Sequence, residues 1–575
     1  YANSVANNWT DGSNFFSFLD SYVAPISILT TTSGKELRIE PTNSLGNFSV
    51  EPANLLKSPI WPEQIKTLRV YSSDRYSMPT YALKTSTGVS VIGKVFDFQE
   101  KKWVGNDIVL VNAPGGSLGS DWDNIVVGRA QGEKALILVK NEILLGNGGI
   151  NEYFDIKIVD LKRALVAATT NITSRYVPTT SHEYGIVLRA SDFAMSNDSA
   201  LIYWNYAEWF SNPSAVVDSR GGYRVSVLDL NSRIFVGNDF QICSYTSLET
   251  AGCLNKDRHV SVSGKTGLIF GMPDGWMLAD PLLPQLSSSW NLAGRFIDME
   301  TATAIGATPF DISTQTAGAW VYAQSTTIAD KIMVTWPCNV AWNSSEVCGR
   351  VLDATHRVAL RTSETWLSNT TQGTRSNIRV AGFGNRAMVI WDMTNLSLTT
   401  DYNIYGRIVD LETGLSLGTE ELRINSLGYV PPGSEWYFGL VRQANIGATK
   451  DRAVVVWSHR FSVFDPNGLG TGWEVKDACL ARVIDTRNNV ILGTLDTQVD
   501  IWPSDLGGVP EYCRLSVGGK YAMFNPIRSD SGYQVGLYSS LMKISGLPIY
   551  LGANNFFTAP LFERNYTVTA KFKLQ

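Results

Sequence analysis

An all-β fold is what this sequence predicts: a β-propeller of about eight four-stranded blades with a β-rich N-terminal extension. Three observations carry the prediction. An Asp is followed eight positions later by a Gly, over and over along the chain. A compact apolar run recurs with the same period of about 65 residues. No long segment repeats its apolar residues at the 3.6-residue spacing of a helix.

The Asp-x7-Gly element is intact at Asp97/Gly105, Asp229/Gly237, Asp298/Gly306, Asp410/Gly418 and Asp485/Gly493. Asp160/Ala168 and Asp353/Arg361 keep only the Asp, and Ser545/Gly552 is a degenerate copy. The apolar run starts at Thr67, Ala135, Ala200, Gly267, Ile332, Ala387, Ala453 and Tyr521, so successive starts lie 55 to 68 residues apart. Two independent landmarks with one period mark a repeat architecture.

Residues 378–426 show one repeat in full. IRVAGF, the turn GNR, the apolar AMVIW, a polar loop, IYGRIVDL, the tight turn ETG and LSLGTEELRI read as four strands joined by hairpins. Asp and Gly are turn residues, so the Asp of each copy is expected to end the second strand and cap the turn to the third. Trp204, Trp336, Trp391 and Trp457 at the ends of apolar runs are expected to pack between blades. Eight such units would close a ring and protect their sheet edges.

The string AMVIW…YNIYGRIVDLETGLSLGTEELRIN resembles the repeat of large secreted bacterial surface and adhesin-type proteins. That resemblance implies secretion and surface display, and it implies no conserved active site. In overall character the chain also resembles propeller subunits of extracellular glycoprotein fibrils made by aquatic microbes.

The expected organisation is an N-terminal extension over 1–64, an eight-repeat propeller over 65–558 and a C-terminal strand over 559–575. The alternation YTVTAKFK near the C-terminus reads as a strand. A terminal strand either completes the last blade or pairs with a neighbouring molecule, since an exposed sheet edge accepts another strand.

Net charge is −5, without a basic block, which argues against a nucleic-acid partner. No apolar stretch approaches the ~20 residues of a membrane span. The chain begins at Tyr1 without a Met, which fits a mature product after signal removal or a trimmed chain. Six cysteines fall into three pairs, Cys243/Cys253, Cys338/Cys348 and Cys479/Cys513, expected as disulfides that staple loops in an oxidising compartment. Sequons at Asn8, Asn47, Asn171, Asn197, Asn343, Asn369, Asn395 and Asn565 are expected glycan acceptors.

Chemistry is harder to find. His182, His259, His356 and His459 stand outside any triad pattern, and no G-x-S-x-G elbow or S-x-D-x-G-x-x-W box occurs. With no CxxC motif, zinc is not expected. Asp465-Pro-Asn467-Gly468 lacks the ligands of a calcium loop, and 112–124 is Gly-rich without a following helix. Tyr206, Trp209 and Trp276 lie in segments suited to stacking on sugars. No catalytic residue, metal or cofactor is expected. The sequence therefore reads as a non-enzymatic, secreted, glycosylated subunit of an extracellular fibril, self-associating through terminal strands. A carbohydrate-binding adhesin or lectin is the alternative, and a carbohydrate-active enzyme a third reading.

Overall fold

The computed structural model describes residues between 26 and 543; outside the described residues lie 1–25, 40–49, 54–63, 544–575 and stretches of the connections, the longest being 272–291 and 426–439. Each repeat begins with a strand at the propeller axis. These inner strands are Gln64–Ser72, Val126–Gln131, Gly185–Met195, Arg258–Ser263, Gln324–Ile328, Thr374–Phe383, Leu440–Ala448 and Val509–Gly518. Each opens one blade, numbered 1 to 8 in that order. Neighbouring inner strands touch in cyclic order, and the inner strand of blade 8 returns to that of blade 1.

Among the described residues seven hydrogen-bonded sheets form this ring. One of them has eight strands and contains two blades, 2 and 3, joined only by the parallel pair Glu152↔Val187. The ring is thus seven sheets and eight repeat units. A separate hairpin pairs Ile26–Thr31 with Gly34–Ile39.

The core is divided as the blades are. The second strands carry the apolar runs, so Ala135–Val139, Ala387–Trp391 and Ala453–Trp457 are buried on both faces. Trp204, Trp336, Trp391 and Trp457 are fully buried, as expected of blade packing. Every pair of neighbouring blades encloses its own apolar cluster; Phe383, Met388 and Ile390 of blade 6 meet Val455 and Trp457 of blade 7. Between blades 1 and 8, Phe96 and Phe98 pack against Met523.

The recurrent Asp does cap a turn, but its place in the blade needs correcting. It ends the third strand and caps the turn to the outer, fourth strand. Asp229 Oδ1 accepts the backbone N–H groups of Asn231 and Ser232, both at 2.8 Å. Asp298 does the same for Glu300 and Thr301, and Asp410 for Glu412 and Thr413. The Gly serves the fourth strand. Gly105, Gly237 and Gly306 have φ of 57°, 54° and 82°, and each sits where the register of the outer strand shifts. These are β-bulges whose left-handed residue favours glycine. Where Ala168 replaces the Gly, the outer strand carries a shift of a single residue. Where Arg361 does, it breaks into Val358–Ala359 and Thr365–Trp366.

Asp353 shows the electrostatic side of this cap. Burial alone would raise its pKa. The His356 backbone N–H and Nδ1, at 2.8 and 2.9 Å, and Lys331 Nζ at 3.2 Å instead hold it at about 2. A depressed folded-state pKa adds stability above the ordinary carboxylate value and loses it as pH falls toward the folded value. We expect about 2 kcal/mol to disappear between pH 4 and pH 2. Asp353→Asn should flatten this acid limb in urea unfolding followed across that range; an unchanged limb would refute the assignment.

Two disulfides are formed among the described residues, and neither staples a loop. Cys338–Cys348 links adjacent strands inside blade 5. Cys479–Cys513 joins the third strand of blade 7 to the inner strand of blade 8. All four cysteines are buried. Cys253 and the side chain of Cys243 lie outside the described residues. Since loop-closure entropy grows with the span closed, the pair 34 residues apart should contribute about 3.5–4 kcal/mol and the pair 10 apart about 2.5–3. Unfolding of the two double-alanine variants checks that order.

One of the two alternatives for the terminal strands is seen at the N-terminal side. Val50–Ala53 pairs antiparallel with Ser539–Lys543 and is the outer strand of blade 8. A strand from the N-terminal extension therefore completes the last blade instead of being offered to a neighbour. The expected strand at 559–575 lies outside the described residues. Among the described residues no helix is long and apolar enough to cross a membrane.

Candidate functional site in the axial channel

Apart from blade 3, where Val187 pairs with Glu152 of blade 2, the inner strand of each blade is an edge strand, so its outward backbone groups face the axis instead of another strand. A cavity of about 350 Å³ opens there against the inner strands of blades 1 to 5. Tyr71, Arg129, Gln131, Ser261, Ser325 and Thr327 line it. Hydroxyl, amide and guanidinium groups thus dominate the wall.

Several inner strands bulge. Register shifts fall between Ala190 and Asp192 in blade 3, Ser376 and Arg379 in blade 6, and Arg442 and Asn445 in blade 7. A bulge re-aims the side chain it carries. In all three blades a short polar side chain then reaches the backbone of the next inner strand. Asp192 accepts from Val260 N at 3.0 Å, Asn377 donates to the Ala444 carbonyl at 3.3 Å, and Asn445 to the Cys513 carbonyl at 3.1 Å.

Blade 3 adds chemistry to this latch. His259 of blade 4 brings Nδ1 to 3.5 Å from Asp192 Oδ2, and Arg129 of blade 2 brings Nη2 to 3.4 Å from Oδ1. Arg129 Nε also donates to the Phe193 carbonyl at 2.6 Å. Burial works to raise the Asp192 pKa, but the bond to His259 and the field of Arg129 outweigh it and hold the carboxylate ionised. His259 Nε2 is buried and has no hydrogen-bond partner among the described residues. The carboxylate thus orients one imidazole nitrogen, while the other is buried just before the cavity-lining Val260 and Ser261 rather than open to the cavity.

The inner strands also share a charge. Lys66 and Arg69 lie on blade 1, Arg129 on blade 2, Arg189 on blade 3 and Arg258 on blade 4. Arg375 and Arg379 lie on blade 6, Arg442 on blade 7 and Arg514 on blade 8. Against these nine cations the same strands carry only Asp192 and Glu511.

His259 and His356 each pair with an aspartate; His459 is buried in blade 7, and His182 lies outside the described residues. No three His, Cys, Asp or Glu side chains gather as metal ligands among the described residues. Tyr206 packs against Trp204 and under Arg224, whereas Trp276, the side chain of Trp209, Asp465–Gly468 and residues 115–124 lie outside. Of the sequons, Asn197 is exposed at the turn entering the second strand of blade 3. Asn171 donates to Asp155 at 2.9 Å, and Asn369 donates to the Thr419 carbonyl while accepting from Arg407. Asn8, Asn47, Asn343, Asn395 and Asn565 lie outside the described residues.

No protein-family model matches the chain, and no curated protein does. Solved structures do. Phage phi92 endosialidase is 8% identical with a TM-score of 0.32, over 91% of this chain and 72% of its own. Polysaccharide lyase Uly1 is 9% identical with a TM-score of 0.32, over 85% and 94%. An α-L-arabinanase of Penicillium chrysogenum is 11% identical with a TM-score of 0.27, over 61% and 91%. These neighbours are carbohydrate-active enzymes, which overturns the expectation of a non-enzymatic fibril subunit; neither the fibril nor the absence of activity is retained. Likeness at this level assigns no residue role. What the sheets themselves establish is an all-β propeller.

Proposed function

We propose that this is a carbohydrate-active protein whose saccharide lies in the axial channel, with the Asp192–His259 pair as its proton acceptor. The polar cavity carries this reading. Its hydroxyl and amide side chains, together with the edge N–H and C=O groups of the inner strands, suit a polyhydroxylated ligand. Asp192 orients His259, and Arg129 neutralises part of the carboxylate's charge.

The test pairs binding with turnover. Oligosaccharides of several linkages are titrated by calorimetry, and release of new reducing ends is followed in the same samples. Thr327→Val with Gln131→Leu should weaken binding about tenfold, as expected when sugar hydroxyls lose partners. His259→Ala should abolish turnover and leave binding within about twofold. Absence of saccharide binding by the intact protein would refute the reading.

Secretion and N-glycosylation belong to the same proposal. Two buried disulfides fit an oxidising compartment, and the exposure of the sequon residue Asn197 at a turn supports a glycan there. A loss of mass on enzymatic deglycosylation that is smaller by one glycan in Asn197→Gln checks that site.

A further inference from the structure

Every described Asp turn of the ring ends in the same way. The fourth residue after the Asp has left-handed backbone in all seven. In six of them it carries a side chain: Lys101, Ala164, Arg233, Ala302, Arg357 and Asn489, with φ from 51° to 64°. Only blade 6 has glycine there, Gly414, at φ 68°. Left-handed backbone favours glycine, so local preference alone would place glycine in every one of these turns.

The preceding blade explains the departure. A β-carbon on Gly105 of blade 1 would lie 3.0 Å from Ala164 Cβ in the turn of blade 2. One on Gly237 of blade 3 would meet the blade 4 turn, with the Thr301 carbonyl oxygen at 2.7 Å and Ala302 Cβ at 3.3 Å. One on Gly418 of blade 6 would lie 3.2 Å from Asn489 Nδ2 in blade 7. The fourth residue after each Asp thus seats on the eighth residue after the Asp of the blade before. Where that eighth residue is Ala168, Arg233 of the next blade still reaches back and donates to the Ala167 carbonyl at 3.0 Å. Gly306 of blade 4 is the exception, since its β-carbon would meet no described atom of blade 5 within 4 Å.

The junction of blades 5 and 6 reverses the pair. Here the eighth residue is Arg361, and the turn that meets it carries Gly414. A β-carbon on Gly414 would lie 3.1 Å from Arg361 Cδ and 3.4 Å from its Cγ. The Gly414 carbonyl also accepts from Thr365 Oγ1 of blade 5 at 2.6 Å. Glycine has changed sides because the Arg361 stem fills the space that a turn side chain fills elsewhere. We propose that the Asp-x7-Gly element is a keyed docking pair between successive blades. The turn is the key, the residue eight past the preceding Asp is the seat, and a glycine on one side or the other decides which turn a seat accepts. Blade 5 is thereby matched to blade 6 and poorly suited to any blade whose turn carries a side chain. Repeats of like shape misdock unless such mismatches separate them.

Two double-mutant cycles on the full chain, read as urea midpoints, test the pairing. Gly414→Ala should lower the midpoint, and that loss should shrink by about half or more when Arg361→Gly is also present. Gly105→Ala should shrink likewise beside Ala164→Gly. Gly264→Ala, whose β-carbon meets nothing within 4 Å, is the strain-only reference and should lose the same in every background. Size exclusion after refolding from urea reads docking directly. Gly414→Ala should return less monomer than Gly264→Ala, and Arg361→Gly combined with Gly414→Ala should restore it. Equal midpoint losses with and without the partner change would mean that backbone strain alone is felt, and would overturn the proposal. So would a monomer yield for Gly414→Ala equal to that of Gly264→Ala.

Discussion

Replacing Arg407 with alanine is expected to cost about 3–5 kcal/mol of stability, the range for removing one member of a buried, hydrogen-bonded polar set. Arg407 is buried on the third strand of blade 6, three residues before the capping Asp410. Its Nη1 donates to the Leu367 carbonyl at 3.1 Å and to Asn369 Oδ1 at 2.7 Å, both at the end of blade 5. Its Nη2 donates to the carbonyls of Gly418 and Thr419, at 2.9 and 2.8 Å, in its own outer edge. One guanidinium thus satisfies a glycine bulge and ties it to the preceding blade. Arg350 repeats the arrangement one blade earlier, reaching Asp311 and Ile312 on one side and Arg361 and Thr362 on the other. Arg407→Lys should recover less than half, since an ammonium cannot span the planar set. Urea midpoints for wild type and both variants decide the matter, and a loss below about 1 kcal/mol in the alanine variant would mean that water replaces the guanidinium.

Gly518→Val should cost about 3 kcal/mol or more and act on ring closure specifically. Gly518 ends the inner strand of blade 8 and is buried. A β-carbon there would overlap the Phe98 ring and lie 2.7 Å from the Asp74 carbonyl oxygen, both in blade 1. Close beside it, Ser77 and Ser516 share a buried hydrogen bond of 2.8 Å across the same seam. The atoms that this β-carbon would meet include backbone, so little can yield without opening the seam. Gly264→Ala is the control. That glycine has φ +54° with open space around it, and only left-handed strain of about 1–2 kcal/mol is expected. Limited proteolysis should cleave the valine variant near the blade 1–8 seam. Equal stability of the two variants would show that the seam is slack.

The architecture was legible because repetition averages out ambiguity. One Asp-x7-Gly is a turn; seven aspartates in register, with the apolar run at the same period, define a blade. The repeated Asp was displaced by one strand because its neighbours, such as IVD in blade 6, are as apolar as the second strand before them. The site was much less legible. Asp192 and His259 are 67 positions apart and meet only because blades 3 and 4 are adjacent in the ring. A clue was present: each of RASDF, RSNIR and RQANI places a short polar residue shortly before an apolar run.

The outer strand of the last blade comes from residues 50–53, near the start of the chain, and its partner ends at Lys543. This has a consequence for biosynthesis. At about 5–20 residues per second, ribosomes need roughly half a minute to a minute and a half or more to make the intervening chain. Throughout that interval the early strand has no partner of its own, while blade 1 waits with one apolar flank uncovered. Partly made chains are therefore the vulnerable species, prone to pairing with one another on crowded polysomes. Slowing initiation, which spaces nascent chains apart, should raise the yield of finished rings more than any change to a completed blade.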